Sequence, residues 1–422
     1  MAYPQSGITN RPQGHLLLVA LAFEGDRAPT TTRATLEDLR TLVHRELTSN
    51  LDDQGAATPK GVPGPETGEL GFDDGYNRDF LTITLGVSSA GFAALGVPAV
   101  ERPADLVPIP WAALGDNPEL ADDGDLLLQI CSDNIYINEH VARRVEEDLG
   151  GRLRVAWTQA GVQRFTSRAG RVSRREGRAL IGFHDGTSNL HPRHEEADAG
   201  LVFVDPKRVG EYPPHPAPQA GGYPGQGPNF PADLRPVPIS EPEWTKGGTY
   251  MAVRVSVNNV TAWDDLPLGE QEQAIGRFKW SGASLDLADD PAHLDNPPAF
   301  AANQGDTRVA LAAHTRKANP RREAADQARR IFRRGYALIQ PGPGELRRGL
   351  VFICFGRTLA TQFEFIVRAW MNNPDFPMPG TGVDRLQAFD RQVLCGGYYF
   401  VPPLARKAQP WSWVIPPTTG PA

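Results

Sequence analysis

The sequence predicts an α+β protein of two domains, each an antiparallel sheet with helices packed on it, and three observations carry that reading. At 422 residues the chain exceeds what a single hydrophobic core usually supports. Residues 15–161 run in the order β-α-β, β-α-β, the split pattern of a ferredoxin-like domain. The second half repeats part of that order, which implies a duplication with a boundary near residue 166, giving domains 1–166 and 167–422.

HLLLVALAF, residues 15–23, reads as a first strand. Residues 32–48 carry Leu36, Leu39, Leu42 and Val43 at helical spacing. FLTITL, residues 80–85, alternates as a half-buried strand does, and Ser88 opens a short helix to Leu95 as its cap. A strand over 126–131, a helix over 137–149 and a strand over 152–161 complete the half. In the second half LVFICFGRTLATQFEFIVRAW, from Leu350, matches LLLQICSDNIYINEHVARRV, from Leu126: strand, polar turn, amphipathic helix. Leu359, Phe363, Ile366, Val367 and Trp370 fall on one face of that helix. Residues 213–242 hold ten prolines and read as a surface insertion loop without regular structure.

Composition narrows the function classes. A net charge of -7, from 43 Lys+Arg against 50 Asp+Glu, argues against a nucleic-acid partner. No apolar run is long enough to cross a bilayer, and residues 15–23 read better as a strand than as a signal peptide, so the protein is placed in the cytoplasm. Cys131, Cys354 and Cys395 are too widely spaced for a disulfide framework or a metal site, and read as core residues.

The stretch that bears chemistry is GRALIGFHDGTSN, residues 177–189. An apolar run, Ala179 to Ile181, ends like a strand at Gly182, and Asp185 follows in a turn flanked by glycines. That carboxylate is either a base or an Asx-turn residue bound to its own backbone, and its neighbours alone do not choose. GFDDG at 71–75 fits the same local pattern and reads as a surface turn. His191 and His194 lack a third ligand at a recognisable spacing and read as exposed loop residues. His314 ends an apolar run and opens HTRKANPR, a setting that suits a buried ligand beside an anionic group.

Taken in order, GFHDGTSN (182–189), WTKGGTYMAVRVSV (244–257), EQEQAIGRFKWSGASL (270–285), HTRKANPR (314–321), FRRG (332–335) and GLVFICF (349–355) resemble the dye-decolorizing peroxidases, a family of haem enzymes. The resemblance implies one haem b per chain, bound mainly by the C-terminal domain with His314 as proximal iron ligand. It places Asp185 and Arg333 on the distal face as the catalytic pair. An imidazole leaves the opposite axial position open, a carboxylate can move the peroxide proton, and a guanidinium can stabilise charge as the O–O bond breaks. A free aspartate titrates near about 3.9, so a carboxylate base tilts activity toward acid pH.

By the same resemblance, Arg316 meets a haem propionate or forms a surface salt bridge, and Phe183, Leu350 and Phe352 line the haem or pack in the core. Arg333, not Arg334, is the distal arginine. Gly335 stands where some members carry Asn, and Leu190 where Pro is usual. The implied partners are hydrogen peroxide and aromatic donors, with surface Trp or Tyr relaying electrons; Tyr336, Trp370, Tyr398, Trp411 and Trp413 are candidates for that or for packing. No nucleic acid or membrane partner is expected, and a homo-oligomer is left open. The alternative is a haem carrier or sensor without turnover.

Overall fold

The computed structural model describes residues 3–10, 12–48, 80–163, 177–216, 229–407 and 412–417. Nine strands are present among them: β1 (His15–Phe23), β2 (Thr82–Val87), β3 (Leu126–Ser132), β4 (Leu153–Val162), β5 (Thr249–Asn258), β6 (Phe332–Arg333), β7 (Tyr336–Pro341), β8 (Leu346–Gly356) and β9 (Asp390–Val401). Every pairing between them is antiparallel. The first four lie in the order β4-β1-β3-β2 and the later ones in the order β9-β5-β8-β7, with β6 beside β8. Two single pairs, Val87 with Phe400 and Val162 with Ala337, join the two sets edge to edge, so the sheet closes like a barrel.

Strand alternation divides the side chains between two cores. Leu16, Leu18 and Ala20 of β1 point into the closed sheet with Val253, Tyr336, Val351 and Ile353 of the second half. Val19, Leu21 and Phe23 point outward against Leu36, Leu39, Leu42, Val43 and Leu47 of the helix Pro29–Thr48. Each such buried aliphatic side chain contributes about 1.5–3 kcal/mol. The helix Ile135–Leu149 covers the same sheet through Val141, Val145 and Leu149, and Asn134 caps it by accepting a hydrogen bond from the Tyr136 amide. Ser88 caps Ser89–Ala94 in the same way, accepting from Gly91. The three cysteines are free and buried in strands, as their spacing implied.

Two expectations need correction. The helical stretch 359–371 is not amphipathic: it winds largely in wide i to i+5 turns and is buried nearly all round. It tolerates Glu364 and Arg368 inside because Arg235 pairs with the first at 2.9 Å and Asp233 with the second. Both partners belong to the proline-rich stretch, so residues 229–242 are not a loose surface loop. Phe230 and Leu234 pack against Phe365, Ile366 and Trp370. Arg235 also reaches Asp105 at 2.7 Å, and Asp105 Oδ2 accepts from the Leu359 and Ala360 amides, fastening the first half of the chain to the start of that helix. Residues 217–228, the Arg-rich stretch at the expected boundary and GFDDG at 71–75 lie outside the described residues.

Glu241, in the same buried region, accepts hydrogen bonds from the Tyr250 hydroxyl at 2.5 Å and the Ala104 amide at 3.0 Å. Burial pushes its carboxyl up to about 7 from an ordinary 4.5. A folded pKa above the unfolded one gives stability that is full below about 4.5 and lost as pH rises through about 7. Glu241→Gln is therefore expected to flatten the dependence of Tm on pH across that window. An unchanged slope in thermal melts would contradict this.

Candidate active site

The chain from Gly177 to Leu190 is a self-closed loop rather than the end of a strand. Three short bonds return it on itself: Ala179 N to Phe183 O at 3.0 Å, Gly182 N to Ala179 O at 2.8 Å and Asp185 N to Gly177 O at 2.8 Å. These bonds turn the backbone back on itself, so the apolar run does not extend into a strand. Gly182 has φ +86°, a conformation that favours glycine; the atom a Cβ would meet first, Lys279 Cε at 2.5 Å, belongs to a flexible side chain that could move. Phe183 packs edge-on to Trp263 at 5.9 Å, in a cluster with Ala274 and Ile275. Of its two readings, the structure supports core packing.

Asp185 carries features of both of its readings. Oδ1 accepts from the Gly186 amide at 2.7 Å, a turn-stabilising bond. Oδ2 has no donor among the described residues and looks over Gly335: a Cβ on Gly335 would stand 3.2 Å from that oxygen and 3.4 Å from Leu350 Cδ1. The glycine thus leaves that carboxylate oxygen uncrowded.

Arg333, the last residue of β6, and Arg334, just beyond it and still bonded through its amide to Ile353 O, point to opposite faces. Arg334 points into the closed sheet, donating to Asn10 O at 2.8 Å and Gln13 Oε1 at 2.6 Å. Arg333 points outward to the Asp185 loop. Its guanidinium donates to Thr187 O at 2.8 Å, and its backbone is held on both sides by Asn189, at 3.0 and 2.8 Å. Burial pulls its pKa down and the Asp185 carboxylate partly restores it.

Three further arginines converge here: Arg277 and Arg321, inside the motifs 270–285 and 314–321, and Arg330, outside every motif. Arg277 donates to Ser188 Oγ at 3.0 Å and Arg330 to Ser188 O at 3.3 Å, while Arg321 is anchored on Asn319 O at 2.7 Å, just beyond the His314 helix. Burial, and then the neighbouring Arg333, pull Arg277 down to about 10. Burial, then Arg277, Arg330 and Arg333, pull Arg321 down to about 9, with Asp286 opposing weakly. Arg330 is already paired with Asp198 at 3.5 Å, whereas Arg277 and Arg321, buried without a carboxylate in contact among the described residues, call for an anionic ligand.

His314 begins the helix His314–Ala318. Its Nδ1 lies 2.7 Å from Oδ2 of Asp384, a fully buried carboxylate, while the imidazole itself keeps 30% exposure. A carboxylate on Nδ1 fixes the proton there and leaves the Nε2 lone pair free, the arrangement of a metal-binding imidazole. Asp384 was missed in the sequence because it is 70 residues away with no motif around it. Arg316 does not share that space. Two residues along a helix turns a side chain by about 200°, and the Arg316 guanidinium donates to the carbonyls of Gln304, Asp306 and Val309, 5.0 Å over the Phe300 ring. It is 1% exposed, so neither a propionate partner nor a surface salt bridge describes it.

Leu350 and Phe352 face outward from β8 on the side that carries Arg333, opposite Cys354. Both stay partly exposed, although Val351 and Ile353 between and beside them are 0% exposed. On that side the sheet carries a partly exposed apolar pair, with Phe352 stacked on Phe363 at 6.0 Å, beside a free carboxylate oxygen over Gly335 and Leu350 and the arginine cluster; the same half of the chain supplies an imidazole with a free nitrogen. That donor set fits haem: an apolar plane, two carboxylates on one edge and an iron needing one nitrogen ligand. Among the described residues no group of three or more His, Cys, Asp or Glu could hold a bare metal ion, and His191 and His194 are exposed. Tyr336, Trp370 and Tyr398 are buried, Trp413 is half-buried and Trp411 lies outside the described residues. No helix among the described residues is long and apolar enough to cross a membrane.

Fold and site together define an oxidoreductase of the haem peroxidase class. Residues 5–163 match the family model for the N-terminal part of Dyp-type peroxidases and residues 230–406 that for the C-terminal part. The chain belongs to the Dyp-type peroxidase family, and it is a haem-dependent peroxidase. It is 30% identical over 365 residues to a deferrochelatase of Shigella flexneri serotype 5b, covering 85% of this chain and 76% of that one. It is 28% identical over 410 residues to the deferrochelatase of Escherichia coli K12, covering 96% and 83%. Among solved structures, a DyP-type peroxidase from Cellulomonas bogoriensis superposes with a TM-score of 0.66 at 23% identity, covering 97% of this chain and 96% of that one. Ferric DtpA from Streptomyces lividans gives 0.68 at 23% identity, covering 95% and 91%. At those identities the likeness is one of fold.

Proposed function

We propose that this peroxidase holds one haem b per chain through Nε2 of His314 and uses hydrogen peroxide to oxidise bulky aromatic donors, dyes and phenols, by one-electron steps. The observation that carries the reading is the free Oδ2 of Asp185 beside Gly335 and Arg333, in a chain that also holds an imidazole whose Nδ1 is fixed by a buried carboxylate. When bound, haem supplies the iron that peroxide oxidises. Asp185 Oδ2 takes the proton from one peroxide oxygen and returns it to the other, so that water can leave. Arg333, held on Thr187 and Asn189, stabilises the negative charge that develops between them. Arg277 and Arg321 would face the propionates, and Leu350 and Phe352 the porphyrin plane.

The repeated strand order, β4-β1-β3-β2 and β9-β5-β8-β7, supports a reading as two ferredoxin-like domains, 1–166 and 167–422, with haem held mainly by the second. Residues 15–23 form β1, deep in the core, which supports their reading as a strand rather than as the apolar part of a signal peptide. A carrier or sensor would need His314 but neither Asp185 nor Arg333. The two readings part on one experiment: haem content by pyridine haemochrome, followed by peroxide-dependent decolorisation of an anthraquinone dye. One haem per chain with sustained dye turnover is expected; full haem loading without turnover would favour the carrier. The name deferrochelatase, borne by relatives at 30% identity, points to iron release from haem as a second activity, which porphyrin fluorescence would report.

A further inference from the structure

Lys317 lies one turn beyond His314 on the same helix, is 0% exposed and forms no ion pair among the described residues. All three of its ammonium protons are used: Nζ donates to the carbonyls of Trp370 at 3.0 Å, Asn373 at 2.7 Å and Phe376 at 2.6 Å. Burying an ammonium with no carboxylate in contact is costly, even with Asp384 and Asp375 near enough to favour its charge, and a methionine of similar shape would fill the space at less cost. What a methionine lacks is the ability to hold three carbonyls in fixed directions.

Those carbonyls belong to the segment that leaves the helical stretch 359–371 and returns at Asp384. Its ends are tied, Asp384 N to Met371 O at 2.9 Å and Gly382 N to Pro374 O at 2.8 Å, and Arg385 N donates to Ala312 O at 3.1 Å, two residues before His314. Asp384 Oδ1 is taken by the Leu386 amide at 2.9 Å, which leaves Oδ2 for His314. The ammonium thus fastens the segment bearing the carboxylate to the helix bearing the imidazole, about one helical turn from the bond between them.

We propose that Lys317 is a positioning residue for the proximal imidazole: by pinning residues 370–376 to the His314 helix it keeps Asp384 on Nδ1 and so sets the basicity of Nε2. This rests on His314 being the iron ligand. A strongly held Nδ1 proton gives the imidazole anionic character, which strengthens its bond to iron and lowers the reduction potential. The test uses haem-loaded protein and reads the ferrous iron–histidine stretch by resonance Raman together with the midpoint potential. Asp384→Asn sets the scale, with a lower stretch and a higher potential. Lys317→Met is expected to move both readouts in the same direction by at least half as much, and the double variant to go little beyond Asp384→Asn alone. Lys317→Gln, which keeps donors, falls between, and serves alone if Lys317→Met does not fold. Variants that lose thermal stability while both readouts stay at wild-type values would overturn the proposal and leave the ligand assignment intact. A wild-type protein with no iron–histidine stretch would overturn the ligand assignment itself.

Discussion

Asp185→Asn is expected to slow the reaction of the haem protein with peroxide by about 100- to 10,000-fold, the range a positioned general base contributes. The substitution is nearly isosteric. Its side-chain oxygen can still accept the Gly186 amide, so the loop that closes through Ala179, Gly182 and Gly177 keeps its shape. What disappears is the atom over Gly335 that can take a proton. Arg333 stays anchored on Thr187 and Asn189, and the Soret position should not change. Stopped-flow absorbance against peroxide concentration checks this, and a second-order rate within a factor of about three of wild type would remove Asp185 from the chemistry.

His314→Ala should have the second large effect, on the cofactor itself. The imidazole is the one side chain here with a free nitrogen whose other nitrogen is fixed by a buried carboxylate. Without it the arginine cluster and the Leu350–Phe352 face can still attract a porphyrin, but iron has no protein ligand. Haem should dissociate on gel filtration, and the remaining Soret band should shift; added imidazole should restore it in part. Full retention of an unshifted band would place the ligand elsewhere.

Much of the scaffold was legible in the sequence because strands and helices declare themselves by period. β1 and β3 follow from their apolar runs, the helix Ser89–Ala94 from its Ser88 cap, and most of the helix Ile135–Leu149 from its amphipathic pattern; its first turn and Asn134 cap lie ahead of the start that pattern predicts. The closed sheet was not legible, since it depends on two single-residue pairs between distant edges. Ala179 to Ile181 looked like a strand because three apolar residues carry no period of their own. The helical stretch 359–371 looked amphipathic because pattern reading counts Leu359, Phe363 and Trp370 on one face. It cannot foresee that Arg235, more than a hundred residues earlier, makes Glu364 acceptable inside.

The site divides in the same way. Asp185, Arg333 and His314 sit in short motifs, and once they are in place their chemistry can be argued residue by residue. Asp384 and Arg330 lie outside any motif, so only the fold could bring them forward, while Lys317, Arg277 and Arg321 sit inside motifs that do not say what their side chains touch. Arg316 shows the limit from the other side: a motif neighbour of the ligand, turned by helical phase onto backbone carbonyls.

The most direct test of the account is a single absorption experiment on the haem-loaded protein: a spectrum before and after one equivalent of hydrogen peroxide, then after a phenolic donor. Rapid loss of Soret intensity on adding peroxide, with return to the starting spectrum once the donor is consumed, is the predicted result. A Soret band that peroxide leaves unchanged would contradict it.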